Sequence, residues 1–216
     1  MNKYRSQSKY CYPETDVLIN KFDEKDQEKL NKLETTFTTR RIYQLYNKPI
    51  TGSFGLKHLQ KIHRFIFQDV YSFAGEFREE QISKGKTTFA HPLHIQTYGM
   101  EIFKELKNER FLKDLNKEKI VERMSYFLGE VNILHPFREG NGRVQREFFR
   151  VLAMKNGFEL DWSKVNQSEM IEASISSVND SNAFKNIFMK NIVNEQPDIQ
   201  LIKQFQSLKK SNELEL

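Results

Sequence analysis

Apolar residues recur at helical spacing along most of this 216-residue chain. Leu56, Leu59, Ile62, Ile66 and Val70 fall on one stripe, and Ile120, Val121, Met124, Phe127, Leu128 and Val131 on another. Leu30, Leu33, Phe37, Ile42 and Leu45 repeat the pattern earlier, and Val144, Phe148, Val151 and Leu152 repeat it later. Residues three and four apart share one side of a helix, so these segments must bury their apolar faces against one another. One stretch departs from the rule: "EFREEQISKGKTTFAHP". There Gln81 to Ser83 and Thr87 to Ala90 read as two short strands around Lys84-Gly85-Lys86. A lone hairpin is marginal in water, so it must rest on the helical body. The expected fold class is all-α with one short β-hairpin.

Punctuation divides the chain. Residues 1 to about 15 are polar and aperiodic and read as a loose arm; residues 16–194 form the body, and 195–216 a C-terminal tail. Pro49 and Gly52 break the first helix, Ser53 is the expected N-cap of the second, and Gly75 its expected end. Further helices are expected over about 93–107 and 117–134, one or two more across 168–193, and a last short one after Pro197.

Composition limits the function. Eighteen Phe and eight Tyr supply enough aromatic area for a true core. The net charge is +5, but lysines alternate with acids, as in "DEKDQEKLNKLE". That pattern reads as a solvated helical surface with no nucleic-acid stripe, while the positive field still suits a nucleotide. The single cysteine, Cys11, excludes an intramolecular disulfide and fits a reducing compartment, with an inert thiol. No run of 18 apolar residues is present to span a membrane, and the N-terminus lacks the apolar core of a signal peptide. A cytoplasmic location is expected, with delivery into another cell by a signal-free route left open. "GKTT" at 85–88 lacks the upstream glycine of a P-loop, since position 80 is Glu. "HPLH" at 91–94 has no third ligand for zinc. His58 and His63 read as structural, and Trp162 as core or rim.

The chemistry concentrates in "ILHPFREGNGRVQREFF", residues 133–149. Pro136 disfavours helix at the residue before it, so the preceding helix should end at His135. A helix C-terminus favours positive charge, which should raise the proton affinity of His135 and suit a base near neutral pH. Phe137 should anchor the loop to the core. Gly140-Asn141-Gly142 leads into a helix beginning near Gly142, and free N–H groups at such a terminus form an anion cradle. Arg143 and Arg146 add charge to the same end. Glu139, the loop's only carboxylate, is most simply a Mg²⁺ ligand, because Mg²⁺ bridges a carboxylate to phosphate oxygens. A base, a metal ligand and an anion hole together point to phosphoryl or nucleotidyl transfer.

"HPFREGNGR" followed by Arg146 resembles the signature of the Fic family (filamentation induced by cAMP), His-x-Phe-x-Asp/Glu-Gly-Asn-Gly-Arg-x-x-Arg, at every specified position. "YPETDVLINKF", "LKHLQKIHRFIFQDVYSFAGEFR" and "ISKGKTTFAH" resemble the bacterial cell-filamentation type, over roughly Tyr10 to Asn194. The resemblance implies a Fic-type helical bundle that transfers AMP from ATP to a Ser, Thr or Tyr hydroxyl of a target protein. It implies that His135 deprotonates the hydroxyl and Glu139 holds Mg²⁺ between the α- and β-phosphates. Gly140, Asn141 and Gly142 would cradle the phosphates, with Arg143 on the β-phosphate side and Arg146 toward the γ-phosphate. The hairpin would be the family's flap, gripping the target backbone by strand addition, with Thr87, Thr88 and Phe89 in contact. Restraint by an inhibitory helix is also implied, supplied by a small antitoxin or, as a second reading, by the chain's own tail through Ser211 and Glu215. Two alternatives stay open. A Doc-like phosphotransferase is disfavoured by Gly142, where that branch has Lys. A catalytically idle, flap-based binding module is disfavoured by the completeness of the motif.

Overall fold

The computed structural model describes residues 8–85 and 87–214, with side chains described up to residue 210. Among the described residues the chain forms eight α-helices: α1 (Gln27–Asn47), α2 (Leu56–Phe67), α3 (Ile95–Asn108), α4 (Lys117–Leu134), α5 (Asn141–Lys155), α6 (Gln167–Ser176), α7 (Lys185–Asn191) and α8 (Ile199–Leu214). The α5 helix is central and packs against α2, α4 and α8. Val144, Phe148, Phe149, Val151, Leu152 and Ala153 are all at most 1% exposed, which covers more than one side of the helix. A helix buried on several sides must have neighbours on several sides. The α4 helix adds α3 and α7, and α1 lies on α2. Its span matches the expected 117–134, and Asn116 caps it by accepting from Lys119 N–H.

Several boundaries differ from expectation. The cap of α2 is Gly55, not Ser53. Phe54 is buried among Phe111, Phe148 and Phe205 and takes a left-handed conformation (φ 49°), which turns the chain between Ser53 and the helix. The same helix stops at Phe67, well before Gly75. Val70, Tyr71, Phe73 and Ala74 stay buried although the backbone has left the helix, so the apolar stripe reports burial beyond the helical segment. The hairpin keeps only β1 (Ser83–Lys84) and β2 (Thr87–Thr88), antiparallel, with Ser83 opposite Thr88. Beyond them Phe89 N–H still reaches Ile82 O across the hairpin at 3.4 Å, and Ala90 N–H turns to the body, donating to Ile133 O at 3.0 Å.

The arm is not loose from residue 8 onward. Cys11 pairs with Leu18 in an antiparallel bridge, Cys11, Val17 and Leu18 are buried, and Ser8 Oγ donates to Glu80 at 2.6 Å. Polar composition hid a segment held by its backbone bonds and three apolar side chains. The tail is longer and better seated than a short final helix: Phe205 of α8 is 4% exposed, stacks on Phe54 at 6.0 Å, and Asp198 N–H bonds Gly157 O at 2.8 Å. The Ser211 side chain and Glu215 lie outside the described residues. Among the described residues, no helix is long and apolar enough to cross a membrane.

Candidate active site

The motif loop joins the C-terminus of α4 to the N-terminus of α5, and its shape is set by a few contacts. His135 closes α4 in a left-handed conformation (φ 42°, ψ 60°), which Pro136 promotes by excluding the right-handed helix. Such a conformation costs a non-glycine residue about 1 kcal/mol or more, so neighbours must hold it. Arg78 does so. Its Nε donates to His135 O at 2.8 Å, and its other N–H groups reach Leu134 O, Glu80 O and Ala90 O. One buried guanidinium, 2% exposed, thus ties the helix end to both sides of the hairpin.

Burial, and not the helix dipole, decides the proton affinity of His135. Its ring stacks under Phe89 at 3.7 Å, with 16° between planes. Desolvation lowers its pKa to about 4, and the charges of Arg78 and Lys84 act in the same direction. This reverses the expected rise. His135 Nδ1 lies 3.1 Å from Asn132 O; a carbonyl only accepts, so Nδ1 carries the hydrogen and Nε2 is the acceptor. No described residue bonds Nε2.

Phe137 is 1% exposed and stacks on His63 at 4.0 Å, anchoring the loop as expected. Asn141 accepts from Phe137 N–H at 2.9 Å and donates to Phe137 O at 2.8 Å. Its amide is therefore spent on closing the loop, which leaves its backbone N–H at the start of α5 for a ligand. Gly140 (φ +78°) admits no side chain, because a Cβ there would sit 2.0 Å from the Phe67 ring. Gly142 has no such restriction, since a Cβ would meet only Arg146 Nη1, at 3.5 Å. Helix α5 begins at Asn141, one residue earlier than expected.

Glu139 Oε1 accepts from Gly140 N–H at 2.7 Å and pairs with Arg143 at 3.3 Å, and its side chain is 41% exposed. A half-exposed carboxylate with one oxygen committed fits Mg²⁺, which takes one carboxylate and fills its shell with phosphate oxygens and water. Arg143 leans toward α1, pairing with Glu34 at 2.7 Å. Arg146 has no carboxylate partner among the described residues; burial lowers its pKa, and Arg143 adds to the effect. Thr87 and Thr88 lie on the hairpin, Thr88 exposed, while Phe89 is turned inward over His135.

Residues 135–146 and Phe89 thus converge on the end of α4 and start of α5. Arg78, Glu34, Tyr71 and the clamping role of Asn141 escaped the sequence. The first three act across long separations that no spacing signals, while Asn141 clamps Phe137 only four residues away, through a side chain whose residue type alone does not say which way it turns.

The family model described as the Fic/DOC family matches residues 53–153. "Protein adenylyltransferase VbhT" of Bartonella schoenbuchensis is 42% identical over 178 residues; the match covers 82% of this chain but only 37% of that protein. "Probable protein adenylyltransferase Fic" of Escherichia coli is 35% identical over 182 residues, covering 84% of this chain and 90% of that one. Among solved structures, the BepC effector of Bartonella tribocorum with bound AMPPNP matches with a TM-score of 0.79 at 25% identity, over 87% of this chain and 97% of that one. A Fic domain from Bartonella quintana with bound ADP matches with a TM-score of 0.80 at 25% identity, over 90% and 97%.

Proposed function

The chain belongs to the Fic/DOC family, and we propose that it is a protein adenylyltransferase, moving AMP from ATP to a hydroxyl side chain of a target protein. The observation that carries this reading is the free Nε2 of His135 beside the N–H-rich start of α5, with Glu139 between them in sequence. The nucleotide-bound structural neighbours support a nucleotide as substrate.

His135 is the base. Its neutral form, favoured by burial, accepts the target hydroxyl's proton at Nε2, and the oxygen attacks the α-phosphate while diphosphate leaves. The N–H groups of Asn141 and Gly142 and the cations of Arg143 and Arg146 hold the phosphates. Glu139 would hold Mg²⁺, which supplies charge neutralisation between the phosphates when bound. Phe89 covers the face of the His135 ring and leaves the in-plane Nε2 lone pair to the target hydroxyl, while Thr87 and Thr88 offer a strand edge to the target backbone. Residues 16–194 act as the Fic domain. Restraint by a helix from a small antitoxin, or from the tail through Ser211 and Glu215, would use Arg146, which pairs with no acid among the described residues.

The test is transfer of label from α-labelled and, separately, γ-labelled ATP, with Mg²⁺, to bacterial lysate proteins, using intact protein and His135→Ala. Label from the α-position that requires His135 is expected. Label from the γ-position alone would move the chain to phosphotransfer.

A further inference from the structure

A group of side chains outside the motif converges on Arg143. From α1, Glu34 Oε1 accepts from Arg143 Nη2 at 2.7 Å, and Thr38 Oγ1 accepts from Nη1 at 3.2 Å. The Arg143 guanidinium lies over the Phe67 ring of α2, 4.6 Å from its centroid. Tyr71, 2% exposed, donates its hydroxyl to the other Glu34 oxygen, fixing the carboxylate. Burial and the Glu34 charge both raise the Tyr71 pKa, so the hydroxyl keeps its hydrogen. The ion pair itself is well shielded, with side chains 21% and 16% exposed.

Arg143 stands between two carboxylates, with Glu139 further away at 3.3 Å on the same Nη2. Without Glu34, an arginine four residues after Glu139 on the start of a helix would close onto that one remaining acid. It would then engage the loop's only carboxylate more fully, at the expense of both groups' access to a nucleotide. We propose that Glu34, fixed by Tyr71, is a positioning residue: it holds Arg143 between α1 and the cradle, limits its pairing with Glu139 to Oε1, and leaves the other Glu139 oxygen to serve the nucleotide and its cation. The inference rests on the nucleotide-transfer reading above. It adds a requirement from α1, outside the motif, to phosphate binding.

The experiment is a double-mutant cycle on the full chain. Binding of a non-hydrolysable ATP analogue with Mn²⁺ is measured by calorimetry, and ATP dependence of label transfer in parallel. Glu34→Gln is expected to weaken analogue binding and raise KM about tenfold, with kcat changed less than about threefold. In an Arg143→Ala background, the same substitution should change binding by less than about twofold, because its effect passes through Arg143. Tyr71→Phe, which removes only the hydroxyl, should weaken binding by about threefold. Glu34→Gln binding as tightly as intact protein, or weakening by the same factor with and without Arg143, overturns the proposal. A purely structural role would lower the melting temperature and the active fraction without moving the binding constant of the folded protein. Intact protein that binds the analogue but transfers no label overturns the transfer reading and leaves the cycle to decide on Glu34. Intact protein that binds no analogue overturns both.

Discussion

His63, fully buried, and His135, half-buried, are alike in stacking and opposite in consequence. Each stacks on a phenylalanine, His63 on Phe137 at 4.0 Å and His135 on Phe89 at 3.7 Å, and burial lowers each pKa to about 4. The difference lies in the second ring nitrogen. His63 Nδ1 accepts from Gly75 N–H at 2.7 Å and Nε2 lies 3.1 Å from Glu139 O, so the ring staples the turn after α2 to the motif loop. His135 uses only Nδ1, on its own helix. A buried histidine with both nitrogens satisfied stabilises; one with a single open acceptor can take a proton from a ligand. A perturbed pKa alone does not separate the two.

Substitutions should pull this pair apart. The largest effect is expected from His135→Ala, which should lower label transfer by about 10²–10⁴-fold with little change in melting temperature. His63→Ala should do the reverse in kind, costing about 2–4 kcal/mol in a urea titration by losing its stacking and leaving the Gly75 N–H unpaired. Equal loss of stability in the two variants would break the comparison.

Acid should act through the same group of residues. A histidine that titrates near 6.5 when unfolded and near 4 when folded binds more protons in the unfolded chain between those values. Stability is therefore complete above about pH 6.5 and declines as pH falls toward 4, at up to about 1.4 kcal/mol per unit for each such group. His58, with a pKa also lowered to about 4 by burial, contributes in the same direction. Melting temperatures across pH 4–7 check the sign, and His63→Ala should flatten the curve.

Phe89→Ala sharpens the other side of the comparison. Opening the His135 ring to water should return its pKa toward the ordinary histidine value, moving the acid limb of kcat/KM upward by about one pH unit or more. An unmoved limb would show that Phe89 is not what desolvates the ring. The smallest effect is expected at the hairpin tip. Gly85→Ala meets no atom within 4 Å but keeps φ at +59°, so it should cost about 1 kcal/mol or less, read as faster amide exchange in the hairpin alone.

The helical spacing determined the all-α class, the span of α4 and the place of the one hairpin, because a period of three to four residues needs no distant partner to be read. The motif from His135 to Arg146 was also legible, since its residues lie within one loop and one helix start. The tertiary structure alone decided the rest. Helix α2 ends at Phe67 because the following turn is held by His63 and Gln60, which bonds Gly75 O at 3.0 Å. His135 is a weaker base than its helix terminus implied because Phe89, 46 residues earlier, removes water from it. Arg143 points where Glu34 holds it, across 109 residues. Local order in a sequence fixes backbone periodicity and the chemical kinds present. Desolvation and ion pairing depend on which distant side chains meet, and only the folded chain sets that.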